Sequence, residues 1–178
     1  MKKLFLLCYM LVFCTGANYI DYASQKEFSR DVICLAKNIY FEARDQSTKG
    51  QIAVALVTIN RVKSRSFPNS VCRVVKQANR NKLGKVIKHK CHFSWYCDGL
   101  PDIPEEYIPW KVSITIARAM LKKRGVYITH WGERWNEEDF LNGSTHYHRV
   151  DVDPYWNKNM LVSATIGDHV FYIDPYRK

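Results

Sequence analysis

Asp31-Val32-Ile33-Cys34-Leu35-Ala36-Lys37-Asn38-Ile39-Tyr40-Phe41-Glu42-Ala43-Arg44 carries a carboxylate where a helical pattern asks for an apolar side chain. Leu35, Ile39 and Glu42 fall at i, i+4 and i+7, so they share one face of a helix. Val32, Ala36, Tyr40 and Ala43 occupy the neighbouring faces. A carboxylate against apolar walls loses hydration, and its proton becomes harder to remove. That is how an enzyme keeps a general acid protonated near neutral pH. The competing reading puts Glu42 at the edge of the stripe, paired with Arg44 or another cation.

Working outward, Ser29 caps this helix, with Phe28 before it and Ile33 inside it as a hydrophobic staple. After the loop Asp45-Gln46-Ser47, Thr48 and Gln51 predict a capping box for a second helix over about 49–63. Ile52, Ala53, Ala55, Leu56, Val57 and Ile59 leave that helix little polar surface, so it is read as central. Pro68 suits the first turn of a short third helix reaching about Gln77. The stretch to Lys90 reads as an exposed basic loop, and a fourth helix is expected over about 105–123, with Ile114, Ala117 and Leu121 on one face and Gly125 ending it. A polar, aromatic insertion covers about 131–141. Segments 144–148, 161–166 and 169–173 then read as short antiparallel strands, the last two joined by Gly167-Asp168. The fold class is α+β, mostly helical, with a small C-terminal antiparallel sheet.

The chain has 178 residues, enough for one domain with a real core. Met1-Lys2-Lys3, an apolar run from Leu4 to Phe13, and small Thr15, Gly16 and Ala17 read as a secretory signal. The run is too short to span a membrane comfortably. The alternatives are an uncleaved anchor and a lipoprotein at Cys14, the latter opposed by bulky Phe13. The expected division is 1–17 signal peptide, 18–30 N-terminal lead and 31–178 a single catalytic domain.

Cys8 and Cys14 leave with the signal, and Cys34, Cys72, Cys91 and Cys97 remain. An even count in an exported chain favours disulfides. Four cysteines allow three pairings. Short loops favour Cys91–Cys97 with Cys34–Cys72, but the sequence does not choose, and no spacing fits a zinc knuckle. The formal net charge is +10, or about +8 once Lys2 and Lys3 are removed. The excess concentrates between Arg73 and Lys90. A basic protein outside the cytoplasm meets anionic envelope polymers or lipids rather than nucleic acid. A stretch that is merely solvated is the alternative.

Several pieces now combine. Asn38-Ile39-Tyr40-Phe41-Glu42-Ala43-Arg44, Gly50-Gln51-Ile52-Ala53-Val54-Ala55, Asn60-Arg61-Val62, Phe67-Pro68-Asn69-Ser70-Val71-Cys72, His92-Phe93-Ser94 with Asp98-Gly99, Gly143-Ser144-Thr145-His146-Tyr147-His148 and Ile166-Gly167-Asp168-His169-Val170-Phe171-Tyr172 occur in this order. The set resembles the cell wall hydrolases of the spore cortex-lytic type. The resemblance implies a lysozyme-like, lytic-transglycosylase-like domain acting on peptidoglycan, with its catalytic glutamate at Glu42. The chain departs from the family pattern at Asp45-Gln46, which stands where Gly-Glu is usual, and in the insertion near 131–141.

Cleavage of a β-1,4 bond between N-acetylmuramic acid and N-acetylglucosamine needs a proton on the leaving oxygen, a role suited to Glu42. Retaining and inverting glycosidases also need a second carboxylate, for which Asp98, Asp151 and Asp168 are the candidates. A transglycosylase needs only one, because the sugar's 6-hydroxyl attacks. Ser94, Trp95, Tyr96, Thr145, His146 and Tyr147 are the candidate substrate-binding residues, the aromatics by stacking on sugars. Packing around a disulfide is the other reading of Trp95 and Tyr96.

Two rival functions stay open. His146 and His148 share one strand face and, with Glu42 or His169, fit a zinc amidase or peptidase, although no His-Glu-x-x-His helix supports it. A basic envelope-binding module without turnover is the other. The preferred expectation is an exported monomer in the periplasm or cell envelope. It acts on peptidoglycan glycan strands without a metal or cofactor, without nucleic acid, and without stable membrane insertion.

Overall fold

The computed structural model describes residues 29–122, 126–128, 134–136 and 139–176. The expected signal peptide, most of the lead, Phe28 of the staple, Gly125 and part of the insertion lie outside the described residues. Four helices form the body: α1 (Arg30–Ala43), α2 (Thr48–Lys63), α3 (Val71–Val75) and α4 (Tyr107–Leu121). Three small antiparallel units accompany them. β1 (Ala78–Arg80) pairs with β2 (Val86–Cys91), and β3 (Val126–Ile128) with β4 (Arg134–Asn136). β5 (His146–Arg149), β6 (Leu161–Ile166) and β7 (His169–Ile173) form a sheet in the order β5-β7-β6.

The Ser29 hydroxyl accepts from the Val32 amide and caps α1, as the sequence predicts. α1 packs against α2, α3 and α4, burying Leu35, Ala36 and Ile39 completely. α2 is buried on nearly every side from Gly50 to Thr58. Its cap differs from the expected box. Ser47, not Thr48, accepts from the Gly50 amide, and Gln51 Nε2 donates to the Gln46 carbonyl. Ser47 has the extended backbone that an N-cap requires, so the helix begins one residue early.

A buried polar relay joins α1, α2 and the short 3-10 helix Ser94–Cys97. Trp95 Nε1 donates to Asn38 Oδ1, Asn38 Nδ2 donates to Thr58 Oγ1, and Thr58 Oγ1 donates to the Val54 carbonyl. Every member of the relay is satisfied, so it fixes register without leaving an orphaned group. The disulfides are Cys34–Cys72, tying α1 to α3, and Cys91–Cys97, tying β2 to the 3-10 helix.

Three expectations need correction. The third helix is confined to Val71–Val75, because the chain around Pro68 turns without helical bonding. The basic stretch is not a loop but the β1–β2 hairpin. Asn81 Oδ1 accepts from the amides of Leu83 and Lys85, and Gly84 takes φ 76°. A turn built by one side chain leaves no hydrophobic alternation for sequence reading to detect. The buried stripe of α4 is Trp110, Ser113, Ile116, Ala117 and Met120, while Ile114 and Leu121 are only partly covered. The large indole of Trp110 sets which side faces inward.

Candidate active site

Glu42 sits in the last turn of α1, and its side chain faces β5. The Tyr147 hydroxyl donates to Glu42 Oε2 at 2.9 Å. β5 owes its position to β7, with Tyr147 opposite Phe171 and His148 opposite Val170. Behind Tyr147, the buried His169 ring packs edge-on at 5.1 Å. Burial lowers the affinity of that imidazole for a proton, which favours its neutral form.

The third member is Arg61, in the last turn of α2 and 5% exposed. Its Nε donates to the Thr145 carbonyl at 2.7 Å. Its guanidinium lies over Phe93 at 4.8 Å and near Phe67 at 5.3 Å. One terminal nitrogen, Nη1, is buried without a hydrogen-bond partner. Burial pushes the Arg61 pKa down to about 10, yet it stays cationic at any physiological pH. Sequence reading passed over Arg61, although its signal matches that of Glu42: a charge in a helix buried on most sides.

Burial governs the electrostatics of Glu42. Loss of hydration pushes its carboxyl up to about 7, against an ordinary value of 4.5. The Tyr147 hydrogen bond and the Arg61 charge pull the other way without offsetting it. Burial and the neighbouring carboxylate likewise raise the Tyr147 phenol well above its usual range, so it remains a donor. The ion-pair reading of Glu42 fails for Arg44, whose Nε pairs with Glu106 Oε2 at 2.7 Å. Among the described residues no cation lies within 4 Å of the Glu42 carboxylate.

Glu42, Arg61 and Tyr147 open onto a cleft of about 1250 Å³. Its walls include Phe41, Phe93, Ser94, His146, Tyr155 and Trp156. Of the candidate substrate-binding residues, Ser94, His146 and Tyr147 line the cleft. Trp95 is not: it is buried, stacked on Phe41 at 4.8 Å and bonded to Asn38. Tyr96 packs edge-on against Trp95 and does not line the cleft. Thr145 is also buried, its carbonyl holding Arg61 and its hydroxyl bonded to His146 Nδ1. The cleft gains aromatics instead from Tyr155, which is exposed, and from Trp156, which is half-buried. Trp156 lies 5.4 Å from the His146 ring and 5.7 Å from the His148 ring.

None of the three candidate second carboxylates lines the cleft. Asp98 accepts from the Leu100 amide, Asp151 pairs with Arg149, and Asp168 accepts from Gln46 Nε2 at 3.1 Å. Gln46 also takes the Asp168 amide on its Oε1, so it bolts the α1–α2 loop to the β6–β7 turn. An amide suits that place, since a carboxylate there would face the Asp168 carboxylate. The other acids at the cleft, Asp45 and Glu106, are both hydrogen-bonded, Glu106 to Arg44 and Tyr40. His148 has both ring nitrogens engaged, with the Arg149 carbonyl and the Tyr172 hydroxyl. Among the described residues, no three His, Cys, Asp or Glu side chains converge as a metal group.

Residues 45–172 match the sequence model of the cell wall hydrolase family. The chain belongs to the cell wall hydrolase family. Glu42 stands three residues ahead of the matched segment. The spore cortex-lytic enzyme of Bacillus subtilis (strain 168) is 45% identical over 47 residues, which is 26% of this chain and 15% of that protein. The spore cortex-lytic enzyme of Bacillus cereus is 47% identical over 45 residues, 25% of this chain and 17% of that protein. The matches therefore cover less than a fifth of those relatives. The catalytic domain of the Bacillus cereus SleB protein superposes with TM-score 0.53 at 23% identity, covering 82% of this chain and 92% of that one. That of the germination-specific lytic transglycosylase SleB from Bacillus anthracis gives 0.55 at 24%, covering 82% and 97%. At these identities the superpositions establish a shared fold, that of the SleB catalytic domains.

Proposed function

We propose that this cell wall hydrolase cleaves the glycan strands of peptidoglycan at the β-1,4 bond between N-acetylmuramic acid and N-acetylglucosamine, with Glu42 as general acid. The observation that carries the reading is a carboxyl held near pH 7 by burial at the floor of an aromatic-walled cleft. Protonated, Glu42 gives its proton to the glycosidic oxygen as the bond to the muramyl C1 breaks. Arg61 and Tyr147 then steady the carboxylate left behind, by charge and by a hydrogen bond that shortens as negative charge develops.

The Bacillus anthracis protein is named a lytic transglycosylase, and the arrangement here suits that outcome. The muramyl 6-hydroxyl attacks C1, closing a 1,6-anhydro ring, and returns its proton to Glu42. One carboxylate serves as acid and then base, which agrees with the commitment of Glu106 and Asp45 to other partners. Ser94, His146 and Tyr147 contact the glycan, and Trp156 with Tyr155 extends the sugar surface by stacking.

We further propose export to the periplasm or cell envelope, by cleavage near residue 17, and action as a monomer without a cofactor. Among the described residues, no helix is long and apolar enough to cross a membrane.

Mass spectrometry of fragments released from purified sacculi tests the reading. Anhydro-muramyl ends are expected. Reducing ends would keep Glu42 as acid but replace the internal nucleophile by water. Free stem peptides without glycan cleavage would overturn the proposal in favour of the amidase.

A further inference from the structure

We propose that the β1–β2 hairpin is an interfacial anchor for a membrane surface bearing anionic phospholipid headgroups. No Asp or Glu occurs between Asp45 and Asp98, while Arg80, Lys82, Lys85, Lys88 and Lys90 crowd into the hairpin. All five are exposed, and none forms an ion pair among the described residues. The unbalanced charge is therefore free to meet an external anion.

The tip selects among anions. Leu83 stands 81% exposed between Lys82 and Lys85, and Ile87 is 40% exposed on the following strand. The turn that presents Leu83 is fully built. Asn81 receives the Leu83 and Lys85 amides on its side chain and the Gly84 amide on its carbonyl, and its own amide donates to the Lys85 carbonyl. Arg80 Nη1 closes the turn on the Gly84 carbonyl. At the other end, the Cys91–Cys97 disulfide and the bond from the His92 amide to the Gln77 carbonyl hold the base.

A leucine fixed at the apex of a braced cationic hairpin is of no use to a soluble polyanion, which needs charge alone. It suits a bilayer, where an apolar side chain enters the headgroup–acyl boundary while the lysines stay with the phosphates. Of these residues only Cys91 and His92, at the hairpin's base, line the cleft, so anchoring through the tip leaves the site open. The inference does not depend on the chemistry assigned to Glu42.

The test is sedimentation of the full-length chain with vesicles of phosphatidylcholine alone or with about one-third phosphatidylglycerol, near physiological salt. The first apolar run contributes equally to every variant and cancels in their ratios. Wild type should bind the anionic vesicles much more tightly than the neutral ones. Each lysine near a charged bilayer is worth about a fivefold change in affinity, so the triple variant Lys82→Gln/Lys85→Gln/Lys90→Gln should lose about a hundredfold. Leu83→Ser should lose about tenfold with every charge retained. Unchanged melting temperatures confirm intact folds, as expected for exposed side chains. Equal binding of the triple variant and wild type would overturn the anchor. So would undiminished binding by Leu83→Ser together with full competition by soluble polyphosphate, which would mark a simple polyanion site.

Discussion

Replacing Glu42 by Gln separates the chemical role of the carboxyl from its structural role, because the two predict opposite signs for stability. The side chain keeps its size, and the Tyr147 hydroxyl can donate to the amide oxygen as it does to Oε2. Burial raises the Glu42 carboxyl from 4.5 to about 7. At about 1.4 kcal/mol per tenfold change in proton affinity, that difference corresponds to roughly 3 kcal/mol. Because the folded value lies above the unfolded one, the contribution is intact below the unfolded value. It is lost as pH rises towards the folded one. Wild type should therefore lose up to about 3 kcal/mol between pH 4.5 and about 7 relative to Glu42→Gln, and the gap should stay flat at higher pH. Urea unfolding of both proteins across that range measures it. In parallel, turnover on sacculi should fall by roughly 10²–10⁴-fold, since the transferable proton is gone. Wild-type activity should decline as pH rises through about 7, and the variant's residual activity should lack that limb. A variant that clears sacculi at the wild-type rate would refute the catalytic assignment. A stability gap independent of pH would refute the burial argument beneath it.

Tyr147→Phe removes a hydrogen bond that favours ionised Glu42, so the alkaline limb of the pH–rate profile should move to higher pH, with lower turnover throughout. Reduction of the disulfides should lower the melting temperature. Loop entropy assigns about 4 kcal/mol to Cys34–Cys72, with a sequence separation of 38, and about 2 to Cys91–Cys97, with a separation of 6. Native thiol titration should find none of these four cysteines reactive before reduction. A chelator should leave sacculus clearance nearly intact, and loss restored by zinc alone would move the assignment to His146 and His148.

Local pattern alone determined much of this protein. The periodicity of α1 marked Glu42 as an acid on an apolar stripe, the apolar run of α2 marked it as central, and the turn at Gly167-Asp168 located the last two strands. These features depend on residues a few positions apart, which is the range over which helical and strand periods act. Tertiary structure decided the rest. Tyr147 lies 105 positions from Glu42, and nothing in its own segment says that β7 will hold it against α1. Trp95 and Trp156 are chemically equivalent in sequence. Only the relay through Asn38 sends one into the core, while the 3-10 helix Tyr155–Asn159 leaves the other on the cleft wall. The proton affinity of Glu42 belongs to the same class, because desolvation is set by everything packed around a group, and that environment exists only after the helices and the sheet have met.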